Sequence, residues 1–245
     1  MARFKITIEY DGTPYSGWQR QNDVPSVQQT IETAIYAFAQ ETVNLQAAGR
    51  TDSGVHARGQ VAHFDLTKER SCYQVMEGLN FHLQNAPIVI TQCDHVDEHF
   101  NARFSATYRR YLYRILLRRA PLALDANRAW QIGWPLDIPA MQDAATYFLG
   151  EHDFTSFRAT ICQADSPVKT LDCFEVEAQG DELFIHAQAR SFLHHQVRNL
   201  VGTLQAVGAG KITAESIPEI FAAKDRRAAP PTAPACGLYL MEVGY

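Results

Sequence analysis

Phe4-Lys5-Ile6-Thr7-Ile8-Glu9-Tyr10, followed by the breaker Asp11-Gly12-Thr13-Pro14, alternates apolar and polar residues strongly enough to read as a strand with one buried face. Its partners follow at once. Ser26 with Gln29 has capping-box spacing, and Val27, Ile31, Ala34, Ile35 and Phe38 recur at helical intervals. A strand-like stretch from Val43 to Ala48 comes next, then a glycine-rich loop, then a strand at Val61 to Phe64. The pattern predicts a second helix over Tyr73 to His82 and a strand around Ile88 to Gln92. Strand, helix, strand, strand, helix, strand is the split βαβ order of ferredoxin-like folds.

A longer and less regular cycle begins near residue 105. Tyr108 to Leu117 reads as a strand, Met141 to Leu149 as a helix, and Phe174 to Ala178 and Leu183 to Arg190 as strands paired around Gly180-Asp181. Helices over His194 to Val207 and Ala214 to Ala222 and a closing strand at Leu238 to Val243 complete it. The expected fold is α+β: two ferredoxin-like domains, 1–104 and 105–245, merging antiparallel sheets with helices on one side and an active-site cleft between the halves. On the Tyr108 strand, Arg109, Tyr111, Tyr113 and Ile115 share one face, so Tyr111 and Tyr113 are both expected to look into that cleft.

Composition narrows the class of protein. A chain of 245 residues, 46% hydrophobic and 20% charged, can bury one large core or two ordinary ones, which argues against disorder. No apolar stretch is long enough to span a bilayer, and Met1 to Gln19 has no signal-peptide pattern, so a cytoplasmic protein is expected. Cys72, Cys93, Cys162, Cys173 and Cys236 are widely spaced and never form Cys-x-x-Cys; reduced, mostly buried thiols are expected. A formal net charge of -5 argues against indiscriminate coating of nucleic acid. It leaves room for a local basic surface. Arg103, Arg109, Arg110, Arg114, Arg118 and Arg119 follow one another with no intervening acid, interleaved with Phe104, Tyr108, Tyr111 and Tyr113. Guanidiniums neutralise phosphates and aromatics stack on bases, so this pairing suits RNA; an Arg-rich edge strand protected from aggregation would show the same pattern.

Chemistry concentrates in Gly49-Arg50-Thr51-Asp52-Ser53-Gly54-Val55-His56-Ala57-Arg58-Gly59-Gln60, where Asp52 is the one acid among cations. Nearby positive charge favours an ionised carboxylate, and glycines allow a sharp turn and a closely approaching ligand. A nucleophile or general base facing an anionic substrate needs these features, and so does a plain surface turn with an Arg–Asp pair. Ser191-Phe192-Leu193-His194-His195-Gln196-Val197-Arg198-Asn199 places His194, His195, Arg198 and Asn199 near a helix start, where the dipole disfavours an arginine unless an anion meets it. Two other patterns fail. His95-Val96-Asp97-Glu98-His99 has the spacing of a metalloprotease helix but follows a β-branched run, and no third ligand is recognisable. Gly208-Ala209-Gly210-Lys211 is similar to a phosphate loop but carries Gln205 and Ile212 where that loop needs Gly and Ser or Thr, which leaves a helix C-terminus.

These residues together resemble the tRNA pseudouridine synthase A (TruA) family. The resemblance runs end to end: Tyr10-Asp11-Gly12 with Gly17-Trp18-Gln19-Arg20-Gln21, the Gly49 to Ala57 run, Phe100-Asn101-Ala102-Arg103-Phe104-Ser105-Ala106 with Arg110-Tyr111-Leu112-Tyr113, Phe154-Thr155-Ser156-Phe157-Arg158, Phe192 to Asn199, and Ala223-Lys224-Asp225-Arg226. Asn101 departs from it, standing where many members have His. The resemblance implies isomerisation of uridine to pseudouridine at positions 38–40 of the tRNA anticodon stem-loop, by a homodimer, without metal or organic cofactor and without a membrane. It implies Asp52 as the catalytic nucleophile, Tyr111 as the active-site tyrosine, Arg198 as the cation holding the aspartate, and Arg50 as a residue that extrudes the target base. Arg58, Arg103, Arg109, Arg110 and His195 are the remaining candidates for RNA contact.

The residues themselves agree with that chemistry. Moving C1′ of a ribose from N1 to C5 of its uracil needs a group that bonds to the nucleoside or removes a ribose proton, and a carboxylate does either. Attack at C1′, attack at C6 and deprotonation at C2′ all stay open at this point, as do stacking and proton transfer for Tyr111. Two competing classes make different predictions. A non-catalytic RNA-binding protein built on the Arg103 to Arg119 stretch binds tRNA without modifying it, and a metallohydrolase using His95 and His99 fails in chelator.

Overall fold

The computed structural model describes residues 1–245. They form two compact units, Met1–Thr107 with Tyr239–Tyr245, and Tyr108–Leu238. In the first unit, β1 (Ala2–Tyr10) buries Phe4, Ile6, Ile8 and Tyr10 as its alternation requires, each apolar side chain contributing about 2 kcal/mol. Helix α1 (Val27–Ala39) starts at Ser26, whose side chain accepts from the Gln29 amide, and faces Val27, Ile31, Ala34, Ile35 and Ala39 inward. It is followed by β2 (Gln46–Ala47), β3 (His56–Leu66), α2 (Cys72–Leu83) with a complete Ser71–Gln74 capping box, and β4 (Ile88–Val96). The order β4-β1-β3 is antiparallel throughout, with Ile6 opposite Ala62 on one side and Cys93 on the other, and β2 adds to β3. Helix α2 packs on α1 and on β4, which gives the ferredoxin-like arrangement expected.

Two boundaries differ from the sequence expectation for identifiable reasons. β3 begins at His56 rather than Val61, because nearly every residue along it is buried and the period-two signal disappears. The stretch Val43 to Ala48 yields only the two residues of β2. Leu45 is buried, but its amide donates to Glu32 and its carbonyl accepts from Gln28, so side chains of α1 replace the ladder.

The second unit contains β5 (Tyr108–Leu117), β6 (Trp130–Ile132), α3 (Ile138–Thr146), β7 (Gly150–Asp153), β8 (Val168–Gln179), β9 (Glu182–Ala189), α4 (Gln196–Gly208) and α5 (Ile217–Ala223). Its sheet runs β5-β9-β8-β7, antiparallel, with β6 parallel on the other side of β5, and α3 packs on α4 and β8. β6 and β7 escaped prediction because three or four residues show no period. Helix α3 starts at Ile138, three residues before its expected start, capped by Asp137 and with Pro139 in the first turn. Tyr113 is fully buried and donates its hydroxyl to the Pro234 carbonyl at 2.8 Å, which corrects the expectation that it lines a cleft. Gly208 ends α4 and Gly210 sits at φ +67°, a helix terminus as expected.

The closing strand β10 (Leu238–Gly244) belongs to the first unit except for Leu238. It lies parallel to β3, with Tyr239 opposite His56 and Leu240 opposite Ala57. The sequence order had put this strand in the second half. All five cysteines are free and half-buried, a more exposed setting than expected. His95 and Val96 end β4 and His99 is exposed, so that pattern is not on a helix. No helix is long and apolar enough to cross a membrane.

Candidate active site

Asp52 opens a β-turn in which the Val55 amide donates to its carbonyl at 3.1 Å and Gly54 takes φ +77°. The turn is fixed from both flanks. The Thr51 carbonyl accepts from the Trp18 amide at 3.0 Å, and the Thr51 hydroxyl meets the Tyr10 hydroxyl at 2.7 Å. Burial pushes the Tyr10 phenol up to about 12, so it remains a neutral hydrogen-bonding group. On the near side, Gln60 donates to the Gly49 carbonyl at 2.8 Å, and on the far side Ser53 donates to the Tyr15 carbonyl at 3.2 Å.

Two glycines make this bracing sterically possible. A Cβ on Gly12 would lie 2.0 Å from the Val55 carbonyl oxygen, and one on Gly17, at φ +99°, would lie 2.7 Å from the Thr51 carbonyl oxygen. The segments Tyr10-Asp11-Gly12 and Gly17-Trp18 are thus the cradle of the Asp52 turn. His56 is absorbed into that cradle: it is buried, its Nδ1 accepts from the Gly12 amide at 3.1 Å, and its ring stacks on Tyr239 at 4.7 Å.

In the second unit, Tyr111 stands half-buried on β5 opposite Ala187, its ring edge-on to Phe192 at 5.1 Å. The helix predicted from His194 begins only at Gln196, because His195 takes the left-handed φ of +63°. Gln196 holds the preceding turn from both ends: its side chain accepts from the Leu193 amide at 2.8 Å, and its own amide donates to the Leu193 carbonyl at 3.0 Å. The His194 and His195 rings lie 4.1 Å apart. Arg198, in the first turn of α4, donates through Nε to the Ala233 carbonyl at 2.9 Å while its carbonyl accepts from the Ala233 amide.

The strap from Ala229 to Ala233 that meets Arg198 is fastened by Arg226. Its guanidinium donates to the carbonyls of Ala229 and Pro230, to Thr232 Oγ1 and to Asn199 Oδ1, at 2.9 to 3.1 Å. All four acceptors are neutral, and burial lowers the pKa of the group, which still stays charged as arginine does. Asn199 donates in turn to the Phe157 carbonyl, and a Cβ on Gly202 would meet the Pro231 carbonyl at 2.0 Å. Sequence reading gave Arg226, Asn199 and Thr232 no role. The only signal for Arg226 and Asn199 was co-occurrence in the Ala223 to Arg226 and Phe192 to Asn199 stretches, and Thr232 lies in neither.

The arginines of the 103–119 segment separate into two groups. Arg109 is buried at 8% exposure and donates to the Arg190 carbonyl at 2.5 Å, and Arg114 pairs with Asp125 and Glu182. Arg103 and Arg110 are exposed, lying over the rings of Phe104 and Tyr108 at 5.4 and 5.7 Å. Arg110 also lines a groove of about 750 Å³ with Glu175, His186 and Gln188. In the first unit Arg50 is exposed beside the Asp52 turn, and Arg58 lines a groove of about 300 Å³ with Lys5, Gln92 and Glu242.

Known proteins match this chain along its length. The profile of the tRNA pseudouridine synthase family covers residues 6–105 and 144–245. The chain is 55% identical over 245 residues to "tRNA pseudouridine synthase A" of Rhodospirillum centenum, covering all of both proteins. It is 51% identical to the proteins of that name from Paramagnetospirillum magneticum and Azorhizobium caulinodans, over all of this chain and 96% and 95% of theirs. Tyr111, Arg109 and Arg110 fall between the two profile segments and inside the full-length matches, and the braced Asp52 turn and the start of α4 fall inside both. With matches of that extent on a ferredoxin-like α+β frame, the chain belongs to the tRNA pseudouridine synthase family, isomerases that rearrange uridine within tRNA.

Proposed function

We propose that this protein converts uridine to pseudouridine on the 3′ side of the tRNA anticodon stem-loop, with Asp52 as the reacting carboxylate. The observation that carries the assignment is the rigid Asp52 turn, tied to Tyr10, Tyr15, Trp18 and Gln60 through Thr51, Ser53 and Gly49. A carboxylate presented by a frame this constrained loses little entropy on reaching a reacting centre. Asp52 opens the C1′–N1 bond by bonding to the nucleoside or by taking a ribose proton. The uracil turns, C1′ joins C5 as any bond to Asp52 breaks, the C5 proton leaves, and the vacated N1 takes up a proton in its place. The product is an isomer of the substrate, so the balance of atoms calls for no oxidant, reductant or hydrolytic water.

Tyr111 meets the uracil, where Phe192 fixes its ring, and Arg198 is the cation assigned to the aspartate. Arg50 helps take the base out of its stack, and Arg58, Arg103, Arg110 and His195 meet the RNA. Arg109 acts from inside the sheet through its bond to Arg190. The working assembly in this proposal is a homodimer, and the compartment is the cytoplasm. Tritium release from tRNA labelled at uridine C5 tests the reading: wild-type protein releases it and Asp52→Asn does not. Turnover by the Asn variant removes Asp52 from its role, and tRNA binding without any pseudouridine removes the reaction.

A further inference from the structure

Every amide of the turn Phe100–Ser105 is hydrogen-bonded, and two of its carbonyls are tied to other parts of the first unit. The Phe100 carbonyl accepts from Arg3 at 2.9 Å, the Ala102 amide donates to His63 Nδ1 at 3.1 Å, and the Ala102 carbonyl accepts from the Tyr245 hydroxyl at 2.8 Å. Asn101 closes the turn on itself. Its side-chain oxygen accepts from the amides of Arg103 and Phe104 at 2.9 and 3.1 Å, and its backbone exchanges hydrogen bonds with Ser105 at 2.9 and 3.0 Å. Ala102 and Ala106 are buried, and the Phe100 ring packs against Tyr245 at 4.9 Å.

At the tip of this rigid turn Phe104 is 72% exposed, with the Arg103 guanidinium over its ring at 5.4 Å. A mobile loop could fold such a ring away from water; a turn with its amides already committed holds it out. Tyr73 and Phe81 on α2 are nearly as exposed, at 69% and 66%, yet no cation lies over either ring. An aromatic face beside a guanidinium offers a base a stacking surface and its phosphate a counter-charge. Asn101 is the residue that holds both amides next to the ring.

We propose that Phe104 is a stacking platform for a tRNA base other than the reacting uridine, with Arg103 meeting the neighbouring phosphate. The proposal rests on tRNA being the substrate and adds a contact that the reaction itself does not require. The test measures binding of an unmodified tRNA transcript to the full-length protein over a series of salt concentrations. Phe104→Ala weakens binding about tenfold, within the range for loss of one base–aromatic stack, and leaves the salt slope unchanged. Phe104→Leu is as weak as Phe104→Ala, because it keeps apolar area and loses the π face; Phe104→Trp binds as wild type does. Arg103→Gln lowers the log–log salt slope by about 1. The ring is exposed, so all four variants melt with wild type.

Wild-type affinity in Phe104→Leu overturns stacking in favour of apolar contact, and wild-type affinity in Phe104→Ala overturns the platform altogether. If Phe104→Ala lowers the sedimenting mass, the ring belongs to a contact between two copies of the chain and the proposal is wrong. Failure of the wild-type protein to bind tRNA at all removes the substrate reading instead, which the tritium assay detects independently.

Discussion

The Asp52 turn and the start of α4 both hold a candidate side chain in a fixed place, and they do it by different means. The turn is held by close approach of neighbouring backbone: carbonyls of Gly49, Thr51 and Tyr15 accept from Gln60, Trp18 and Ser53, and Gly12 and Gly17 leave no room for a side chain between the segments. The α4 start is held by polar side chains, with Gln196, Asn199, Thr232 and Arg226 bonded to the backbone or to one another. A frame of the first kind is intolerant of volume. A frame of the second kind is intolerant of lost donors and acceptors.

Asp52→Asn separates chemistry from frame most sharply. The amide matches the carboxylate in size and leaves the Asp52–Val55 turn bond intact, so the thermal midpoint stays at the wild-type value. Pseudouridine formation falls by at least about 10³-fold, the scale expected when a reacting carboxylate is removed. A smaller loss, measured in single-turnover assays, would show that the turn presents some other group. Gly12→Ala attacks the frame and spares the carboxylate. Its new methyl lies 2.0 Å from the Val55 carbonyl oxygen, and the displaced backbone costs on the order of 2–3 kcal/mol in denaturant unfolding. Activity drops with it, because the turn that carries Asp52 must shift.

In the second region the sharpest test is Arg226→Gln, which removes a charged donor from four neutral acceptors. Stability falls by about 2 kcal/mol, and Thr232→Val, losing one bridging hydroxyl to Asn199 Oδ1, costs about 1 kcal/mol. If the strap positions Arg198, Arg226→Lys lowers kcat, and its effect is non-additive with that of Arg198→Lys in a double-mutant cycle. Additive effects would reduce Arg226 to a stabilising residue.

The contrast also explains what was legible in the sequence. β1, α1, α2 and β5 carry clear periods and caps, and the structure places them within one or two residues of expectation. Asp52 was visible because one acid among cations in a glycine-rich loop is a local pattern. The cradle around it was not, since Tyr10, Gly12, Trp18 and Thr51 meet only in three dimensions. Tyr113 misled because strand alternation assigns a face without saying whether that face meets core or ligand. Arg226 was invisible for a further reason: its acceptors are mostly carbonyls, which every residue carries.

The smallest expected effect concerns proton uptake, and it sets a further region, the Phe100–Ser105 turn, against the Arg226 strap. His63 is buried at 3% exposure, and its Nδ1 accepts the Ala102 amide that anchors the Phe100–Ser105 turn. Burial, with the Arg3 charge, holds the imidazole below its ordinary value of 6.5, against the weaker opposing pull of Asp65. As pH falls through about 6.5 the unfolded chain takes up a proton that the folded ring resists, so stability present above that pH is lost on the acid side. Protonation also turns the acceptor into a donor and breaks the Ala102 bond. Between about pH 7 and pH 5 the exchange protection of the Ala102 amide should fall, and the His63 ring should titrate below 6.5 by NMR. The Ala233 amide of the strap should keep its protection over the same range, because the Arg226, Asn199 and Thr232 side chains that fasten the strap exchange no proton there. Equal loss of protection in both regions would mean that acid acts on the whole fold and that His63 is not the group through which it enters.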